Sequence, residues 1–291
     1  MKTYRLKKQL TEKQAGKLKS KFLNKKNFDI LITEDSDGYD INGDLLFRFR
    51  KNAIPIEMLK LGVDSFKKSI APGGGRGIAA GGYLNKVKKD GTISKFDSSP
   101  IVESGNVGFM DARPGSGVVA TCRKTAFAKK YFDEFDQGIP FVKFIDKKYS
   151  EFCPQHYAKQ KAIADGTNRN YVIDNTAFTT VTVNKNFRTA VHKDAGDFPE
   201  GFGNLIVYRE GDWSGGYFCL PQYKVAIELQ NTDILFVDVH QWHGNTEFIN
   251  TNDDWLRISF VLYYREYMYK CSQPADELKK IKMNQTGYLT L

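Results

Sequence analysis

From about Tyr171 onward, short runs of β-branched and aromatic residues alternate with turn residues. FTTVTVN (Phe178–Asn184) is the first, and TAVHKD (Thr189–Asp194) follows after a short KNFR turn. NLIVYRE (Asn204–Glu210), GGYFCL (Gly215–Leu220), VAIEL (Val225–Leu229), DILFVD (Asp233–Asp238) and RISFVLYYR (Arg257–Arg265) come next. Gly, Pro, Asn or Asp separates each run from the next, the signature of an all-β sandwich or barrel. The first half reads differently. Residues 1–26 suggest a helical or flexible basic segment. Phe28–Thr33 and Leu45–Arg50 are strand candidates, and Pro55 to about Ser69 has the pattern of a helix. Further helices are expected over Thr125–Phe135 and from Ile145 to about Ala164, with Gly138 and Pro140 separating them. The expected class is therefore α+β, with helices first and a compact β core after them. No internal repeat is visible, and no apolar run is long enough to cross a bilayer.

The chain has 291 residues, enough for one large domain with a substantial core. Its net charge of +9 favours polyanions, nucleic acid first, although a lysine-rich surface can also be merely solvated. Much of the excess is N-terminal, in LKKQLTEKQAGKLKSKFLNKK, and the opening MKTYRLKKQLTEKQ lacks the apolar stretch of a secretory signal. Cys122, Cys153, Cys219 and Cys271 are widely spaced and form no CxxC, which argues against structural zinc and for reduced thiols inside a cell. The run IAPGGGRGIAAGG (Ile70–Gly82) is either a linker or a loop whose backbone approaches something closely. It lacks the GKS/GKT ending of a phosphate-binding P-loop.

The candidate chemistry lies in the β half, which holds three of the four histidines. In VHKDAGDF, His192 and Asp194 are two apart and share a face if they leave a strand. DILFVDVHQWHGN offers His240 and His243 as a second imidazole. Two histidines and one carboxylate on one side of a metal form the facial triad of non-haem Fe(II) oxygenases, with the other positions open. A keto-acid co-substrate such as 2-oxoglutarate needs a buried cation for its far carboxylate, and arginine suits that role best. Arg257 opens an apolar strand 14 residues beyond His243, and Ser259 shares its face.

The order HxD…H…R-x-S resembles the 2-oxoglutarate/Fe(II) dioxygenases with a double-stranded β-helix (jelly-roll) core. Counting from the strand at Asp233 favours His243 as the distal ligand, with His240 as the alternative. GNVGFMDARPGSGVVATCRKTAF (Gly105–Phe127), the glycine loop, VNKNFRTAVHKDAGD and the run from Phe202 to Asn245 narrow the likeness. Together they resemble the TET/JBP group over roughly residues 70–265, and the JBP-like and viral members more than animal TET enzymes. The implied layout is a basic mixed extension over 1–69, a dioxygenase domain over 70–270 with its β core at about 171–265, and a tail over 271–291.

The resemblance implies that His192, Asp194 and His243 bind Fe(II), and that Arg257 and Ser259 hold the distal carboxylate of 2-oxoglutarate. It places Arg123, in CRKTAF, near the co-substrate. Asp197 matches a base-contacting position, or else is a turn carboxylate. With O2, the implied reaction yields succinate, CO2 and an Fe(IV)-oxo oxidant that hydroxylates the 5-methyl of thymine or 5-methylcytosine. A methyl at a base edge is out of reach in an intact duplex, so the base must be flipped or unpaired. Arg76, Lys86, Lys88, Lys89 and the N-terminal lysines are the candidate phosphate or substrate contacts. DNA is the expected partner, with no membrane and no obligate protein partner. The expected location is intracellular, in cytoplasm or nucleus, or in host cytoplasm for a viral protein. Two other readings share parts of this pattern. One is a 2-oxoglutarate oxygenase acting on a protein side chain or small molecule. The other is a non-catalytic basic β-sandwich that binds DNA.

Overall fold

Two strands at the middle of the fold divide their residues by parity. On Thr180–Lys185, Val181 and Val183 enter one apolar core while Thr182 and Asn184 line a cavity on the opposite face. On Leu256–Tyr263, Ile258, Phe260 and Leu262 enter the same core, and Arg257, Ser259, Val261 and Tyr263 face the cavity. The two-residue repeat of a strand thus separates a helix-covered face from a polar, ligand-sized space.

The computed structural model describes residues 1–73, 75–82, 86–87, 93–94, 100–112, 121–249, 252 and 254–285. The large sheet runs in spatial order Lys2–Leu6, Ser36–Asp40, Leu45–Arg50, Ile234–Val237, Gly203–Glu210, Leu256–Tyr263, Thr180–Lys185, Val102–Met110 and Ala71–Gly73. Arg123–Lys124 pairs alongside Val102–Met110 as its tenth strand. A second sheet of four strands runs Gly244–Asn245, Phe218–Leu220, Val225–Ile227 and Ile30–Ile32. Phe218, Leu220, Val225 and Ile227 of the small sheet pack with Leu205, Val207, Leu235 and Val237 of the large one. The outer face of the large sheet is covered by helices Ile56–Phe66, Phe132–Phe152 and Pro154–Asp165, which bring Leu59, Phe66, Phe141, Val142, Ile145 and Tyr149 to it. This is a jelly-roll core with helices on one side, in agreement with the α+β expectation.

Several local expectations change. Phe132–Phe152 is one helix through Gly138 and Pro140. Pro140 lies on the exposed side, so water can satisfy the Asp136 carbonyl that it frees. Gly138 serves packing: a Cβ there would stand 2.2 Å from a ring carbon of Phe66. Residues 1–26 begin with a strand, Lys2–Leu6, that pairs parallel with Ser36–Asp40. Leu45–Arg50 then joins Ile234–Val237, so the N-terminal segment is woven into the main sheet. TAVHKD is irregular and contains only a single bridge, His192 to His243. Cys122 and Cys271, expected as free thiols, form a disulfide, whereas Cys153 and Cys219 are free and buried. Fold proximity across 149 residues brings the pair together, and spacing along the chain carries no trace of it.

Within the strand Val102–Met110, Gly108 adopts a φ of +93°. A Cβ at that position would lie 2.5 Å from the Thr179 carbonyl oxygen, an atom that already accepts from Phe109 N. Gly108→Ala therefore combines an unfavourable φ with a backbone clash. It should lower stability by at least about 2 kcal/mol, read as a fall in denaturation midpoint.

Candidate metal centre and its cavity

The cavity between the two sheets has a volume of about 650 Å³. His192 and His243 enter it from neighbouring backbones that exchange two hydrogen bonds, His192 N to His243 O at 2.9 Å and His243 N to His192 O at 3.0 Å. That pairing sets the ring centroids 4.3 Å apart. Asp194 joins them because its own N–H donates to Val239 O at 3.1 Å, which ties the segment to the far side of the site. One carboxylate oxygen lies 3.4 Å from His192 Nε2 and the other 3.6 Å from His243 Nε2. The candidate ligand atoms all fall within 4.8 Å of one another.

The ring orientations suit a metal. His192 Nδ1 is 2.8 Å from Ala190 O, and His243 Nδ1 is 2.9 Å from Gln241 O. A carbonyl can only accept, so each ring carries its proton on Nδ1 and turns the Nε2 lone pair inward. Phe218 stacks on His243 with centroids 5.2 Å apart and blocks rotation of that ring. Burial, then the charge of His192, pushes His243 down to about 4, so it is neutral at pH 7. Burial alone would raise Asp194, but the hydrogen bond and charge of His192 and the charge of His243 hold it well below the usual carboxylate range. His192 is raised: burial opposes its charge, and the Asp194 hydrogen bond and charge prevail. An ionised carboxylate and imidazole lone pairs converging on one point fit a divalent ion with open positions. His240, the alternative, takes no part. Its Nδ1 bonds Asp238 at 3.1 Å and its Nε2 bonds Asp197 O at 3.4 Å.

Along the cavity floor, Arg257 is only 4% exposed. Its guanidinium stands over the Phe248 ring at 5.8 Å and has no ion pair among the described residues. Burial, then the like charge of Arg209, pushes it down to about 10. A buried cation without a counter-ion is costly, and an anionic ligand removes that cost. Ser259, two residues along, shares its face.

At the other end stand Arg76, Arg265, Tyr263 and Asp197. Arg76 donates to Ser104 Oγ at 3.0 Å and Asn106 Oδ1 at 3.2 Å. Arg265 pairs with Asp111 at 2.7 Å, and its backbone bridges to Asp197. The glycine loop is no linker: Ala190 N donates to Ala79 O at 2.7 Å, so the loop is bound to the segment carrying His192. Arg123 is not among the residues lining the cavity. Its short strand pairs with the far end of Val102–Met110, and its guanidinium donates to Thr121 O. Lys88 and Lys89 lie outside the described residues. Arg265 escaped the sequence reading, yet continuing the parity 257, 259, 261, 263 would have reached it. Asp111, just beyond a strand end, carries no such signal.

Residues 108–266, more than half the chain, match the family model Tet_JBP, described as the oxygenase domain of the 2OGFeDO superfamily. The chain belongs to the TET/JBP family. It is thus an oxygenase domain of the kind that works with Fe(II) and 2-oxoglutarate, and the His192, Asp194 and His243 cluster fits such an ion. TET/JBP relatives include thymine dioxygenase JBP1 of Trypanosoma brucei brucei, 33% identical over 258 residues, covering 86% of this chain and 29% of that protein. Another is the bifunctional helicase and thymine dioxygenase JBP2 of Trypanosoma cruzi (strain CL Brener), 34% identical over 84% of this chain and 21% of that one. The chain thus spans under a third of these relatives. Among solved structures, NgTET1 in complex with 5mC DNA shares the fold, with a TM-score of 0.59, 15% identity, and coverage of 87% and 86% of the two chains. No helix among the described residues is long and apolar enough to cross a membrane.

Proposed function

We propose that this domain hydroxylates the 5-methyl group of a pyrimidine base in DNA, with thymine the first candidate and 5-methylcytosine the second. The observation that carries the reading is a His192, Asp194 and His243 cluster in the same cavity as Arg257, which has no ion pair among the described residues, in a chain whose relatives are named thymine dioxygenases. Fe(II), when bound with 2-oxoglutarate and O2, supplies the oxidation: one oxygen atom enters the methyl C–H bond and the other leaves in succinate, with CO2 lost. The chain's own residues do the rest. His192, Asp194 and His243 hold the ion, and the carbonyls of Ala190 and Gln241 keep both rings aimed. Arg257 and Ser259 receive the distal carboxylate of the co-substrate. Leu205, Val237, Val239 and Phe218 give the reacting centre apolar walls that limit water.

The opposite end suits a base. Arg76 and Arg265 carry donors only, which match carbonyl oxygens on a pyrimidine edge better than an exocyclic amine, and the Tyr263 hydroxyl beside them can donate or accept. Asp197 lines the same end. Access requires a flipped or single-stranded nucleotide. Lys19, Lys193 and Trp242 stand at the mouth, where Lys193 and the Trp242 indole both bond Glu12.

The test is nucleoside mass spectrometry after incubation with Fe(II), ascorbate and 2-oxoglutarate, on thymine-rich and 5-methylcytosine-containing DNA side by side. The expected product is a 5-hydroxymethyl pyrimidine. Turnover of 2-oxoglutarate without such a product would move the substrate to another class. Binding of DNA should weaken linearly in log–log form as salt rises, and Lys19→Ala should reduce the slope by about 1. A slope that Lys19→Ala leaves unchanged would remove Lys19 from the phosphate contacts.

A further inference from the structure

Asn184 lines the cavity directly across from Ser259, its paired residue on the neighbouring strand. It is 7% exposed. Its Nδ2 donates to Ser259 Oγ at 3.4 Å, and its Oδ1 is buried with no hydrogen-bond partner among the described residues. An orphaned buried acceptor is unfavourable, so the fold does not hold this amide with a full set of contacts. Among the described residues the amide has one engagement, and it is with the hydroxyl beside Arg257.

A serine hydroxyl has one hydrogen and two lone pairs. While Asn184 Nδ2 occupies a lone pair of Ser259 Oγ, the hydroxyl hydrogen must point elsewhere. We propose that Asn184 is a positioning residue for the far carboxylate of the keto acid: it turns the Ser259 hydrogen toward the carboxylate that Arg257 neutralises. This inference rests on the reading of Arg257 and Ser259 given above. It adds a selectivity determinant, because it favours acids with a second carboxylate and is indifferent to the keto-acid end at the metal.

Asn184→Asp keeps the shape and replaces the donor with an acceptor. Ser259 would then direct its hydrogen to the introduced carboxylate and away from the ligand, and a negative charge would stand beside the incoming one. Titration calorimetry on the Mn(II)-loaded protein, which binds without turning over, measures the effect. The expected result is a loss of 2-oxoglutarate affinity on the order of 100-fold, with 2-oxobutyrate, which lacks the far carboxylate, changed less than about 2-fold. Asn184→Leu and Ser259→Ala should each cost about 10-fold, and the double variant little more than either, because the two act in series. Unchanged 2-oxoglutarate affinity in Asn184→Asp, equal losses for both acids, or additive losses in the double variant would each overturn the proposal while leaving the site reading intact. A wild-type protein that binds Mn(II) and not 2-oxoglutarate would overturn both.

Discussion

Asp194→Ala should abolish turnover and empty the site of metal. Asp194 is the sole carboxylate of the cluster, and its two oxygens face two different imidazoles at 3.4 and 3.6 Å. Removing it leaves two close imidazoles and no anion to offset a divalent charge. Losing a group that only orients a ligand typically costs roughly 10–100-fold in affinity or activity, so losing a ligand should exceed about 100-fold. Metal content after dialysis and single-turnover product formation measure it. The fold should survive, since Asp194 is 31% exposed at its side chain and the backbone bonds that hold its segment remain. A variant that retains stoichiometric iron would show that the metal lies elsewhere.

Arg257→Met should separate function from stability. The guanidinium is buried, lacks an ion pair among the described residues, and is held below its ordinary value by its surroundings. Methionine replaces the apolar stem of the side chain and removes a desolvated charge. The metal-free variant should therefore be as stable as the parent or more stable by about 1 kcal/mol, a rise of a few degrees in Tm. Affinity for 2-oxoglutarate should fall on the order of 100-fold or more, as expected when one partner of a buried charge pair is deleted. A drop of several degrees in Tm would mean that Arg257 serves the fold.

Parity along strands was the most legible signal in the sequence. The i, i+2 rule places Arg257 and Ser259 on one face, and the same rule extended along the chain reaches another cavity cation, Arg265. His192 and Asp194 converge for a different reason than expected. They lie on an irregular segment held by the bridge to His243 and the bond from Asp194 N to Val239 O, long-range contacts with no local signature. The helix through Pro140 and Gly138 is hidden in the sequence because both are breakers locally, and only their tertiary setting permits them: exposure at the first and the Phe66 ring at the second. Arg123, which its motif places near the co-substrate, lies on a short strand paired at the Met110 end of Val102–Met110.

Anaerobic titration of the protein with Fe(II) and then 2-oxoglutarate tests the metal assignment most directly. A visible charge-transfer band that saturates at one iron per chain and disappears in His192→Ala and His243→Ala is the expected result. A folded protein that gives no band, or a band that survives both substitutions, would contradict it.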